Sequence, residues 1–527
     1  MYQEAPLRSL RTATAVATLT AALALAGCTG GAGEGTDDGP DETTDGGGAT
    51  SLVLGSTVVP QSFDPAGVGD ANYVPYAQVA YDSLIFRTPD GEYEPMLATE
   101  WEFSDDNLVL SLTLRDDVTF SDGVAFDGDA VKANLEHFQQ GGGPLAGQLG
   151  TLEEVVVVDE THVEIHLSSP IPDLVYNLSD AAGRMASPDA LESPDLQTVP
   201  VGSGPYVMDA ERTVQGSSYV FTARDDYWNP DLQKFEEVEF KIFSDEVALL
   251  NALKSGQVMA GNLSSQDNIA EAEATGIEIL NPEYHISWAG LIMFDRTGAI
   301  VPEMADARVR QAMAHAIDTQ AILDAIFLGN GKLTNQIFNE ASPAYDEALD
   351  EEFAYDPERA QELLANAGYA DGFSLTMPAV TGFMTPALQE AIKTQFGAVG
   401  ITVNYETVEI SSFINDLLAG KYAVSYMFLG SVPTDWFVVQ SYLTENAAWN
   451  PLHATDPELQ ALIDAIPAAS DDERQQAFAE INQFVVENVW FDPWLWVEEN
   501  YAVTGDIDVE LQRGQNIPSI YNYSPTN

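Results

Sequence analysis

Cys28 is the only cysteine in 527 residues, so no intrachain disulfide can staple this chain, and its fold must rest on buried apolar surface. From Ser51 onward that surface is plentiful, with aromatic residues at 10% of the whole chain. The roughly 475 residues of this part exceed what one core ordinarily organises, which implies two or three domains. Cys28 also sits where an export signal would end. Arg8 and Arg11 supply positive charge, and Ala13 to Leu25 is an apolar run interrupted by Thr14, Thr18 and Thr20. The small residues Ala26 and Gly27 then lead into the cysteine. The run is too short and too weakly flanked for a membrane-spanning helix, and reads as a secretory signal.

Leu25-Ala26-Gly27-Cys28 resembles the lipobox of bacterial lipoproteins, which implies that residues 1–27 are removed and Cys28 becomes a diacylated N-terminus. An ordinary secretory signal with an incidental cysteine is the alternative. Two acyl chains hold a protein stably on a membrane, whereas one is marginal. Residues 28–50 continue as an acidic, Gly- and Thr-rich stretch without a large apolar side chain. Such a stretch cannot offset its ordering entropy and is expected to be a disordered tether spanning roughly 25 Å. No later segment approaches the roughly 18 apolar residues of a spanning helix. With 20 Lys+Arg against 83 Asp+Glu, the net charge is −63. A surface of that sign repels nucleic acid and anionic headgroups, so neither is expected as a partner.

The mature part alternates strand and helix signals, which predicts an α/β protein. Leu108, Leu110, Leu112 and Leu114 share one face of a strand, and Val163, Ile165 and Leu167 alternate with His162, Glu164 and His166. Tyr76 to Phe86 reads as a helix. Val309, Ala312, Met313, Ala316 and Ile317 form a helical stripe. Asp356-Pro357 starts a helix that Gly368 ends, and Leu388, Ile392 and Phe396 mark one that stops at Gly400. Ser470 with Glu473 is a capping-box pattern.

A set of motifs in this order resembles the extracellular solute-binding proteins of peptide and nickel ABC importers, family 5. It comprises Ser62-Phe-Asp-Pro65, Tyr81-Asp-Ser-Leu84, Leu97-Ala-Thr-Glu-Trp101, Leu112-Thr-Leu-Arg115, and Val118-Thr-Phe-Ser-Asp-Gly123. Val201-Gly-Ser-Gly-Pro-Tyr206, Arg224-Asp-Asp-Tyr-Trp228, Asp306-Ala-Arg-Val-Arg-Gln-Ala312 with Ala316-Ile-Asp318, Tyr355-Asp-Pro357, and Ala367-Gly-Tyr369 before Asp371-Gly-Phe373 complete it. The resemblance implies a two-lobed, periplasmic-binding-protein-like clamshell (type II) with an extra subdomain inserted in the first lobe. Lobe I would hold 51–88, 196–286 and 491–527, the insertion 89–195, and lobe II 287–490. The function it implies is that of a lipid-anchored, monomeric receptor on the outer face of the cell membrane, or the periplasmic side where an outer membrane exists. There it would capture short peptides by hinge closure and pass them to an ABC permease.

In peptide-binding relatives a Gly-Trp…Asp segment offers an aspartate to the ligand's α-ammonium. Here Gly430 keeps its place, Ser431 stands where the tryptophan would be, and the acid comes as Asp435. Asp435 is the expected anchor; a turn aspartate facing water is the alternative. Trp288, Trp436, Tyr442 and Trp449 are candidate stacking walls, with Phe63 and Tyr73 in the first lobe, and core packing is the competing role for each. Ser203, in a Gly-Ser-Gly turn, is a candidate donor near the cleft. Trp490, Trp494 and Trp496 are expected on the strand that returns to lobe I.

No cofactor or metal is expected. His162-x-Glu-x-His166 is the only histidine pair at suggestive spacing and falls on a strand face that should be solvated. Gly202-Ser-Gly204 lacks the Gly-x-Ser-x-Gly pattern, and Gly329-Asn-Gly-Lys332 is too short for a phosphate loop, so an enzyme is not expected. Oligosaccharides, nickel complexes or another small solute on the same scaffold, or a ligand sensor without transport, remain open.

Overall fold

The computed structural model describes residues 50–526 except 70, 144, 381–382, 431–433 and 506. The signal, Cys28 and almost all of the tether lie outside these residues. The first lobe is built on a seven-stranded mixed sheet. Its order is Glu278–Leu280, Asn500–Val503, Ala260–Leu263, Ser51–Ser56, Glu237–Ile242, Ser218–Ala223 and Tyr206–Met208. Ser51–Ser56 is parallel to both neighbours, and the other pairs are antiparallel. One face carries an aromatic core of Phe63, Tyr76, Tyr219, Phe221 and Phe240. Leu249, Leu253, Val258 and Ile269 cover the other.

Between the first two passages through this sheet the chain forms a separate four-stranded antiparallel sheet. Its order is Ala98–Phe103, Val109–Leu114, His162–Leu167 and Leu152–Asp159. The alternation seen in sequence is the reason: Leu110, Leu112, Leu114, Val163, Ile165 and Leu167 are all buried on one face. The helix Gly128–Gln140 lays Val131, Leu135 and Phe138 against them, its first turn closed by Asp127 accepting from the Ala130 N–H.

The second lobe holds a four-stranded sheet ordered Lys332–Leu333, Phe491–Val497, Ser287–Met293 and Val424–Gly430. A parallel pair, Phe373–Val380 with Ile401–Val408, is connected through the helix Pro386–Ala398, as a parallel crossover requires. The helix starts read from capping residues in the second half of the chain fall where expected. Asp356 caps Pro357–Asn366, and Ser470 and Glu473 form a reciprocal capping box at the start of Asp471–Asn488. Val309, Ala312, Met313 and Ala316 are buried on one side of Ala307–Ala316. Among the described residues no helix is long and apolar enough to cross a membrane.

Two readings are corrected. The expected helix over Tyr76–Phe86 is helical only at Val74–Gln78, and Ile85–Arg87 is a strand paired with Tyr93–Pro95. The cause is tertiary. The Val79 and Ala80 carbonyls accept from the N–H groups of Tyr206 (3.1 Å) and Gly204 (2.9 Å), which a continuing helix would deny them. That approach is so close that a Cβ on Gly204 would lie 2.4 Å from the Ala80 carbonyl carbon, and one on Gly202 2.2 Å from its oxygen. The second correction concerns the return to the first lobe, expected from 491. Phe491–Val497 is instead an inner strand of the second sheet, with Trp494 and Trp496 both 0% exposed, and the chain rejoins the first sheet at Asn500–Val503. A strand apolar on both faces needs cover on both, and only an inner position supplies it.

The motif residues gather around one buried carboxylate. Asp82 Oδ1 accepts from the Tyr227 hydroxyl (2.8 Å) and the Tyr521 hydroxyl (3.0 Å), and Oδ2 from Trp228 Nε1 (2.7 Å). Its own N–H donates to Ser203 Oγ at 3.1 Å. Arg224 donates to the carbonyls of Gly202, Ser203, Gly204 and Thr119. Segments some 440 residues apart in sequence are thus fixed to one another by charge-assisted bonds.

Candidate functional site: a cleft between the lobes

Two adjoining cavities lie where the inserted subdomain and first lobe meet the second lobe. One, of about 270 Å3, is walled by Arg87, Tyr93, Tyr176 and Arg513 on one side and by Ser342, Thr434 and Asp435 on the other. Its neighbour, of about 360 Å3, is walled by Phe428, Phe437, Tyr442, Trp449 and Asn516. Tyr176, Ile286 and Gly514 line both, so the two form one continuous cleft. Aromatic walls with a few convergent polar groups are the usual composition of a small-ligand site.

Asp435 opens the helix Asp435–Tyr442, whose N-cap Thr434 accepts from the Phe437 N–H at 3.1 Å. Thr434 in turn donates its hydroxyl to Asp173 Oδ2, a direct bond from the second lobe to the inserted subdomain. Burial pushes the Asp435 carboxyl up to about 6, with the Ser342 hydroxyl opposing. Burial likewise takes Asp173 up to about 7, with Thr434 and Arg474 opposing and Asp435 adding to it. A carboxylate so short of hydration gains most from a ligand cation.

The chain crosses between lobes along 281–286 and 498–499. Glu499 joins the crossings by accepting from the N–H groups of Ser287 (2.9 Å) and Ile286 (3.4 Å), while Asn281 Nδ2 donates to the Glu499 carbonyl at 2.9 Å. Burial pushes Glu499 up to about 7 against these donors. Beside them His285 contacts Glu340 at 3.1 Å, and Lys332 contacts it at 3.2 Å. Burial acts to lower His285, but Glu340, Glu498 and Glu499 outweigh it and the net shift is upward. Burial acts to raise Glu340, yet His285 and Lys332 hold it at about 2.

A pH dependence of stability follows. Asp82 and Asp435 are raised to about 6, and Asp173, Asp492 and Glu499 to about 7, each chiefly by burial. A carboxyl raised on folding contributes stability that is complete below its unfolded value and is lost as pH climbs through the folded one. His137, raised first by its hydrogen bond to Asp64, and His285 lose theirs in the same direction. Glu340 titrates far below this window. The thermal midpoint is expected to drop by several degrees between pH 5 and pH 8; calorimetry showing a rise would contradict this assignment of the buried carboxyls.

Of the residues singled out from sequence, Asp435, Tyr442 and Trp449 meet on the cleft. Tyr442 also donates its hydroxyl to the Gly430 carbonyl. Trp288 (0% exposed) and Trp436 (8%) are packed in the second-lobe core, Trp288 edge-on to Phe491 at 5.9 Å between centroids. Phe63 lies in the first-lobe core against Tyr219 and Phe221. Ser203 is fully buried, accepting from Asp82 N–H and donating to the Met185 carbonyl at 3.4 Å. These four line no wall of the cleft. Cys28 and Ser431 lie outside the described residues. His162 and His166 are engaged by Asp159 and Glu164, and no group of metal-ligating side chains assembles among the described residues. Arg87, Tyr93, Tyr176, Ser342, Phe437 and Arg513 had no distinguishing sequence signal, because only the folded chain brings them together.

Residues 92–450 match the family described as bacterial extracellular solute-binding proteins, family 5 middle. The chain belongs to family 5 of the bacterial extracellular solute-binding proteins. This family 5 protein is 28% identical over 323 residues to the glutathione-binding protein GsiB of Salmonella paratyphi A, and 27% over 322 residues to that of Escherichia coli K12. Each alignment takes in 60% of this chain and 61% of the relative's own length. Among solved structures, the periplasmic binding protein DppA of Helicobacter pylori in complex with the peptide STSA superposes with a TM-score of 0.77 at 19% identity, covering 91% of this chain and 99% of that one. NikA of Brucella suis in complex with Fe(III)-EDTA gives 0.77 at 22%, covering 90% and 99%. The fold of this family 5 member is therefore the two-lobed clamshell.

Proposed function

We propose that this family 5 protein captures short peptides between its lobes and delivers them to an ABC permease, working as a monomer from a lipid anchor at Cys28 on the outer face of the cell membrane. The observation that carries the peptide reading is Asp435. It is a partly buried carboxylate at a helix start, facing an aromatic-walled cleft that both lobes complete. An α-ammonium would replace the water that burial has removed from it, and aromatic faces suit peptide planes and apolar side chains. Ligand held by both lobes favours the closed arrangement by its differential affinity for that state. The glutathione named for GsiB, itself a peptide, points the same way.

The test is a thermal-shift panel on the mature protein, comprising di- to tetrapeptides, glutathione, oligosaccharides and nickel chelates. Stabilisation by peptides alone, rising with concentration as mass action requires, is the expected result. Stabilisation by sugars or nickel chelates with none by peptides would replace the peptide reading. Metabolic labelling with a fatty acid, compared with a Cys28→Ala chain, tests the anchor separately.

A further inference from the structure

Most described lysines and arginines hold a carboxylate partner, as a chain with 83 acidic residues makes easy. Arg87 and Arg513 do not. Among the described residues neither guanidinium has an ion pair or a hydrogen-bond partner, and both line the same cavity as Asp435. Each is laid instead on a tyrosine that also lines that cavity. Arg87 stands over Tyr176 at 5.0 Å and Arg513 over Tyr284 at 5.1 Å. Stacking on a ring uses the flat face of a guanidinium and leaves its N–H edge available for a planar anion.

The two arginines are held together by their backbones. Arg513 N–H donates to the Pro89 carbonyl at 2.8 Å, and Gln512 Nε2 to the Thr88 carbonyl at 2.6 Å, so the C-terminal segment is stitched to the turn that follows Arg87. Asp90 and Glu92, on that turn, are exposed at the rim and pair with neither arginine. Arg87 is half-buried, and Arg513 is exposed at the mouth. The first-lobe wall thus presents two uncompensated positive groups, while the second-lobe wall presents Asp435.

We infer that Arg87 and Arg513 form a carboxylate-binding subsite for the C-terminal end of the ligand, across the cavity from Asp435. This rests on the peptide reading above and narrows it to peptides with both termini free. A zwitterion then has one charged end on each lobe, and holding both ends requires the lobes to be together.

Calorimetric titration with Ala-Ala-Ala, its C-terminal amide and its N-acetyl form separates the two readings. The free acid is expected to bind the wild-type protein at least tenfold more tightly than the amide. Arg87→Gln and Arg513→Gln should each shrink that ratio, and the double variant should bring it within twofold. Equal affinity of acid and amide for the wild type would overturn the subsite while leaving the peptide reading intact. Absence of binding by all three peptides would overturn the peptide reading and the subsite with it. The wild-type acid-to-amide ratio needs no variant to fold, and a midpoint within a few degrees of wild type certifies the variants used.

Discussion

Asp435→Asn is expected to weaken binding of peptides with a free amino terminus by about 2–4 kcal/mol, roughly 30- to 1,000-fold, which is the scale for removing one member of a buried charge pair. Asparagine keeps the size of the side chain and removes only its charge. The variant should melt at or above the wild-type temperature, since it deletes a carboxyl that burial has already pushed up to about 6. Only the carboxylate form attracts an ammonium, so wild-type affinity should fall as pH drops below about 6, approaching tenfold per unit, and the variant should show no such dependence. An N-acetylated peptide should bind both proteins equally poorly. Unchanged affinity in the variant would remove Asp435 from the site.

The second large effect is on stability. Asp82→Ala strands the Tyr227 and Tyr521 hydroxyls and the Trp228 indole N–H, all of which converge on that one carboxylate. Each donor left without an acceptor costs about 1–3 kcal/mol where it is buried, as Tyr227 is, and less where it is part-buried, as Trp228 and Tyr521 are, so a total loss of about 2–5 kcal/mol is expected. Asp82→Asn, which keeps one acceptor oxygen, should lose less. Urea unfolding measures both. A loss below about 1 kcal/mol for the alanine variant would show that water or a rearrangement satisfies these donors.

Sequence reasoning succeeded where the deciding interactions are local. The capping residues Asp356, Ser470 and Glu473, and the alternation around Leu110–Leu114 and Val163–Leu167, act over a few residues, and the structure follows them. It failed at Tyr76–Phe86, where local helical pattern lost to carbonyls claimed by Gly204 and Tyr206. It also misplaced Phe491–Val497, because an apolar strand does not announce which of two sheets it joins. At the site, Asp435, Tyr442 and Trp449 could be named in advance, but Trp288 and Trp436 could not be distinguished from them. Aromatic identity does not encode burial. Arg87 and Arg513 are 426 positions apart, 513 less 87, and nothing in either neighbourhood signals the other.

The strand Asn500–Val503 sits inside the first sheet, between Ala260–Leu263 and Glu278–Leu280. Two strands from the middle of the chain therefore find each other only through one near residue 500, so that the edge of the first sheet is held by contacts of long sequence separation, the kind whose loop-closure cost slows folding.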